Sequence, residues 1–311
     1  MKKLAFIILF LLSPTLIAQE RLQLVASVKP LQLVAHAIVA DLGEVDLLIP
    51  PGASPHHYAL KPSDIRVLQK ADLVVWVGPD MEQFLEKTLQ RYDRPVLQLM
   101  KNDEDEHEVH HEDEHEAHHE HEHQASHDEA EEDDADHHHH HGDVDPHVWM
   151  DPIYMLEAAE HIKEVLQAQF PELSDKLEAN YQAFKRDLLL ADKQIKQQLT
   201  PYQSNGFVVF HDAFSLFVEH YGLNQRAYFT VDPAQTPGAK KLARIERILK
   251  EPDVRCVFVE PQFKAPIVER IVDDLPVNLG RLDPLAIDVS LTEGYVGYLR
   301  SLANSIETCL Q

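Results

Sequence analysis

Membrane-length apolar sequence, cysteine and positive charge are all scarce in this chain. The one long apolar run, residues 4–12, is too short to span a bilayer, and no other stretch is apolar enough to do so. Lys2 and Lys3 precede the run, and Ala18 follows it where a peptidase could cut. Residues 1–18 are therefore expected to be a signal peptide, although Leu16 stands where a second small residue is usual. No cysteine follows the run, so no lipid anchor is expected, and the mature chain should be exported without direct membrane insertion. Cys256 and Cys309 are the only cysteines, and neither has a ligand partner at close spacing, which argues against a two-thiol metal site. In an exported protein an even pair reads as a disulfide, here between "VRCVFVEP" and "LANSIETCL". Lys and Arg number 28 against 53 Asp and Glu, a formal charge of −25 that turns the chain away from nucleic acid.

That charge is concentrated. Residues 103–142 hold eighteen Asp and Glu, no Lys or Arg, and fourteen of the twenty-one histidines. Without them the formal charge falls to −7, ordinary for a soluble protein. The segment has almost no apolar residues to offset chain entropy, so it is expected to be disordered without metal. Its histidines, such as His115, His118, His119, His121 and His123 and the run His137, His138, His139, His140 and His141, suit weak and multiple divalent-metal binding. A mobile tract cannot preorganise one geometry, so this is a loose antenna and not the specific site.

Outside the insert, β-branched runs alternate with amphipathic stretches. "LQLVASV", "VDLLIP", "DLVVWVG" and "PVLQL" read as strands with helices between them, and "GFVVF", "RAYFTV", "VRCVFVEP" and "VNLGRLDP" repeat the pattern later. Such alternation implies mainly parallel sheets flanked by helices, with binding at the carboxyl ends of the strands. Between the two series, Leu173, Leu177, Tyr181, Phe184, Leu188, Ala191, Ile195 and Leu199 recur at helical spacing. The segment has no glycine and only one proline and one serine, so it is a stiff tie and not a flexible linker. The expected α/β architecture is an N-terminal lobe over 19–170 carrying the insert, a linking helix over 171–200, and a similar lobe over 201–311.

Three isolated histidines fall at strand ends or in nearby loops. His56 lies in "PPGASPHHYALKPSD", His147 in "DPHVWMDP" and His211 in "FVVFHDAF". Each alone is more often ordinary surface or core, but equivalent placement in two facing lobes strengthens the joint case for a metal in the cleft between them. His57 directly follows His56, and adjacent side chains rarely converge on one ion, so it ranks lower, as a group supporting a ligand or facing solvent. His36, His161 and His220 show no partners in sequence and read as structural.

With "PGASPHHYALKPSD", "ADLVVWVGPDME", "HVWMDP", "FVVFHDAF", "TPGA", "CVFVEPQF" and "LDPL" in place, essentially the whole mature chain resembles the periplasmic zinc-binding proteins of bacterial high-affinity zinc-uptake ABC transporters. These are metal-specific solute-binding proteins with a rigid linking helix. The resemblance implies that Zn2+ is the transported ligand, that His56, His147 and His211 are metal ligands, and that Asp283 of "LDPL" or a water is the fourth, Asp283 being favoured. Some zinc-specific members carry Glu just before the first histidine; here that position is Pro55, which has no ligating side chain. The resemblance further implies a disulfide in the second lobe, docking to a membrane ABC permease, and a periplasmic location. A monomer is expected.

Zinc suits three neutral imidazoles plus an oxygen, whereas manganese prefers carboxylate, and in manganese relatives the position of His211 is typically acidic. A manganese receptor and a histidine-rich zinc store or chaperone without a permease are the nearest alternatives. A zinc hydrolase would also use three histidines and a water, but outside the insert there is no His-Glu-x-x-His pattern, and nothing marks Glu260, which could approach the cleft as a group supporting a ligand, as a general base. No catalytic residue is expected.

Overall fold

In a computed structural model, the described residues are 21–100, 145–263 and 266–311. The expected signal peptide (1–18) and the insert (103–142), with His115 to His123 and His137 to His141, lie outside the described residues. Two four-stranded parallel sheets carry the fold. The first contains β1 (Leu22–Ala26), β2 (Gly43–Leu47), β3 (Leu73–Trp76) and β4 (Val96–Gln98), in the order β2-β1-β3-β4. The second contains β5 (Gly206–His211), β6 (Asn224–Thr230), β7 (Val254–Val259) and β8 (Asn278–Arg281), in the order β6-β5-β7-β8. Both orders reverse direction beside their first strand, which opens a crevice at the carboxyl ends of β1 and β3 and of β5 and β7.

The period-2 alternation of the strands sorts their side chains onto two faces. In β5, Phe207 and Val209 join the large shared core, whereas Val208 and Phe210 face the opposite side. In β1, Leu24 and Ala26 go to the shared core and Val25 to the other face. The outer face of the first sheet is covered by α2 (Pro62–Leu68) and α3 (Pro79–Leu89), and that of the second by α7 (Ala239–Ile248) and α8 (Pro266–Val272). The shared core is continuous through both sheets, α1 (Lys29–Val39), α4 (Pro152–Gln169), α5 (Ser174–Leu199), α6 (Ser215–Tyr221) and α9 (Gly294–Leu310).

The long helix α5 has 26 residues, with a 3-10 turn at each end over 171–173 and 200–202. Every apolar residue of the expected stripe from Leu177 to Leu199 is buried. A core that passes without a break from one sheet to the other, backed by α5 and α9, resists rotation of one half against the other. Cys256 in β7 and Cys309 in α9 form a disulfide with Cα atoms 5.8 Å apart, tying the second sheet to the last helix. Gly280 on β8 faces this bridge: a Cβ there would come within 2.8 Å of Cys309 Sγ and 2.7 Å of the Phe258 ring.

Candidate metal site

His211 is the last residue of β5, at the point where the second sheet's strand order reverses. Its ring is almost wholly buried, and among the described residues neither ring nitrogen has a hydrogen-bond partner. Such orphans are rare in a protein interior and mark a place where a ligand supplies the missing interaction.

His147 stands just before a 3-10 turn over Val148–Met150. The Asp145 carboxylate accepts from both its backbone amide (3.0 Å) and its Nδ1 (2.7 Å). With Nδ1 engaged, Nε2 is the nitrogen left to bind, and the carboxylate fixes both tautomer and ring orientation. Burial pushes the Asp145 carboxyl up, but the bonds from His147 and Ser215 outweigh it and hold it below the usual carboxylate range. The other Asp145 oxygen accepts from Ser215 Oγ on α6. Trp149 Nε1 donates to the Pro284 carbonyl (2.7 Å), and Tyr295 on α9 donates to the Trp149 carbonyl (2.7 Å). Asp151 caps α4 through the Ile153 and Tyr154 amides. Although it precedes α5 in the chain, the turn carrying His147 is thus bound to elements that follow α5.

His56 comes from the irregular segment between β2 and α2. Its Nε2 is buried without a hydrogen-bond partner among the described residues. Burial, and then the neighbouring His147 and His211, lower its pKa to about 3, so the ring is a neutral donor. The ring centroids of the three histidines are 5.0 to 5.5 Å apart, and one ligand atom from each lies within 4.8 Å of the others. Among the described residues this is the only group of three or more His, Cys, Asp or Glu that could hold a metal ion. The cavity between the rings is about 10 Å³ and is lined also by Pro55, Trp149, Glu260 and Leu285. That is room for an ion or a water, not for an organic molecule.

The other expected site residues fall around this group. Glu260, just past β7, is buried, and its Oε1 lies 3.2 Å from His211 Nδ1 but out of line for a hydrogen bond. Asp283 is not brought into the group. Its two oxygens accept the amides of Leu285 (2.9 Å) and Ile287 (2.5 Å), so it serves the turn after β8. Burial raises its pKa against the pull of those two amides. The His57 ring lies 6.4 Å from that of His56, and its Nε2 meets Asp232. His220, without a partner in sequence, is held by Asp192 on α5 (2.7 Å).

Against this geometry, the family described as "Zinc-uptake complex component A periplasmic" matches residues 24–309. The chain belongs to that family. It is 38% identical over 299 residues to the high-affinity zinc uptake system protein ZnuA of Yersinia pestis, covering 92% of this chain and 91% of that one. It is 41% identical over 293 residues to the protein of the same name from Haemophilus ducreyi, covering 91% and 92%. Solved structures share the fold at lower identity. A crystal structure of ZnuA aligns with TM-score 0.74 at 24% identity over 94% of this chain and 100% of that one. The periplasmic zinc binding protein TroA from Treponema pallidum aligns with TM-score 0.72 at 18% identity over 94% and 99%.

Two residues that matter here carried no mark in the sequence reading, Asp145 and Asp232. The Asp-x-His spacing of Asp145 and His147 was the available signal for the first. Asp232 could not be found from spacing, because its partner lies 175 positions away.

Proposed function

We propose that the chain is the periplasmic receptor of a zinc-uptake ABC transporter, capturing Zn2+ between its two halves and delivering it to a membrane permease. The observation that carries this reading is the convergence of three imidazoles, two of them nearly fully buried, on a space of ion size. In the bound state, His147 ligates through Nε2, and His56 through the Nε2 that is otherwise an orphan. The fourth position goes to an oxygen, either a water or Glu260, whose Oε1 is buried without a partner. Asp283 lies outside the three-histidine group, with one backbone amide donating to each of its oxygens. Three nitrogen donors suit zinc better than manganese, which favours carboxylate and water.

Because the shared core and α5 stiffen the junction, release proceeds by movement of the loops that carry the ligands and not by wide opening of the lobes. The acidic, histidine-rich insert acts as a loose collector that raises zinc near the cleft. A hydrolase would need room for a substrate beside the ion, and a cavity of about 10 Å³ gives that reading no support.

The test is zinc titration against a competing chelator on two variants. Deletion of residues 103–141 is expected to keep one tight zinc. His147→Ala with the insert intact is expected to lose it, by more than the roughly 10- to 100-fold that outer-sphere partners contribute. Loss of tight binding on deletion, with retention in His147→Ala, transfers the site to the insert and favours a storage role.

A further inference from the structure

The three imidazoles are held unequally. His211 ends a central strand, and His147 sits on a turn bound to α6, α9 and Pro284. His56, by contrast, rides on an arm between β2 and α2. The far end of that arm is pinned, since Asp64 accepts from the Lys61 amide (2.8 Å) and the Tyr58 hydroxyl (2.9 Å). Among the described residues, the backbone–backbone bonds of the stretch before it are short-range, Ala53 N to the Pro50 carbonyl and His57 N to the Ser54 carbonyl, the latter at 3.4 Å. Between residues 51 and 57, among the described residues, one hydrogen bond reaches another segment. It runs from His57 Nε2 to the Asp232 carboxylate, 2.9 Å from Oδ1 and 3.0 Å from Oδ2.

Asp232 lies on the turn after β6, in the opposite half of the molecule, and it is a prepared acceptor. The Ala234 amide donates to Oδ1 (3.0 Å) and Gln235 Nε2 to Oδ2 (2.9 Å). The Thr230 hydroxyl closes the same turn by donating to the Asp232 carbonyl and accepting from its amide. The carboxylate therefore keeps its place whether or not His57 is there.

We propose that His57 and Asp232 are positioning residues that form a catch over the metal site: their bond holds the His56 arm against the C-terminal half and so sets how fast a captured zinc leaves. The inference rests on the assignment of His56, His147 and His211 as the zinc ligands. An exposed ion pair contributes little to the stability of a whole fold, and His57 is half exposed. The effect falls on the arm, which has no other polar tie across the cleft among the described residues. With the catch gone, His56 is retained by its metal bond alone. Capture starts at the two fixed imidazoles and is unaffected.

The experiment uses full-length protein loaded with less than one equivalent of zinc, at one fixed pH, with release followed by stopped flow into excess chelator. The variants are His57→Ala, Asp232→Ala, the double substitution, and His57→Gln, whose amide N–H also reaches a carboxylate. His57→Ala is expected to release zinc about 3- to 10-fold faster, the effect of one ordinary hydrogen bond in a half-exposed, screened pair, with the association rate unchanged within about twofold. The double variant is expected to release no faster than Asp232→Ala, and His57→Gln to recover most of the retention. Thermal melting of the metal-free variants identifies any that fail to fold, and Asp232→Ala, which removes the acceptor and leaves the arm unchanged, tests the catch by the same release rate if His57→Ala is one of them. Release from His57→Ala at the wild-type rate, or effects of the single changes that multiply in the double, overturns the catch. His147→Ala separates the two levels. If it loses the slowly released zinc while His57→Ala behaves as wild type, only the catch fails. If it retains zinc as wild type does, the three-histidine site fails and the catch with it.

Discussion

Replacing Asp145 removes a residue that touches no metal but orients one that should. Its carboxylate takes both polar hydrogens that His147 offers on that side, at 2.7 and 3.0 Å, and ties them to Ser215 on α6. In metal proteins such a partner fixes the tautomer and raises the basicity of the ligating nitrogen, and its loss weakens metal binding by about 10- to 100-fold. That range corresponds to about 1.4 to 2.7 kcal/mol. Two substitutions divide the effect. Asp145→Asn keeps an oxygen to accept from Nδ1 and an amide to meet Ser215, so it loses charge but little geometry and belongs near the lower figure. Asp145→Ala frees the ring to rotate and belongs near the upper one. Competition titration with a zinc chelator on folded protein measures both. Zinc affinity of Asp145→Ala within threefold of wild type, with the fold intact, would refute the argument that this carboxylate presents His147 Nε2 to the ion.

Two predictions concern stability. Reduction of the Cys256–Cys309 bridge, or its replacement by two alanines, releases a loop spanning 53 positions; chain-entropy arguments put the loss at about 4 kcal/mol, to be read by denaturant unfolding with and without reductant. Glu82 is fully buried, with Oε2 accepting from the Val77 and Gly78 amides, and burial raises its pKa to about 7 against those bonds. The folded state then holds a proton that the unfolded chain releases near pH 4.5, so this contribution is full below that pH and is lost as the pH rises through 7. The difference is about 3 kcal/mol, and Glu82→Gln is expected to flatten that part of the pH dependence in urea titrations at pH 5 and pH 8.

The fold was legible because its signals are local. Alternation of strand and helix patterns placed all eight described strands to within a few residues, and the stripe from Leu177 to Leu199 marked the face of α5 that is buried. His56, His147 and His211 stood out because each follows a strand or sits in a nearby loop, where parallel sheets present ligands. What escaped depended on contacts between distant segments. Nothing in "DPHVWMDP" says that the turn carrying His147 is bound to α6, α9 and Pro284, because those bonds reach as far as 146 positions along the chain. Asp283 was favoured as a ligand from the resemblance, yet whether a carboxylate faces an ion or its own turn depends on the amides beside it, here those of Leu285 and Ile287. His57 is the sharpest case. Its neighbour in sequence is a candidate ligand, but its own partner is an aspartate in the other half of the molecule.

The central claim is that one zinc is held by imidazoles from both halves of the chain. X-ray absorption at the zinc edge, on protein lacking residues 103–141 and loaded with one equivalent, counts those imidazoles directly. Three imidazole nitrogens at about 2.0–2.1 Å with one oxygen are expected, falling to two imidazoles in His56→Ala. A spectrum with one imidazole or none, or one that His56→Ala leaves unchanged, would contradict it.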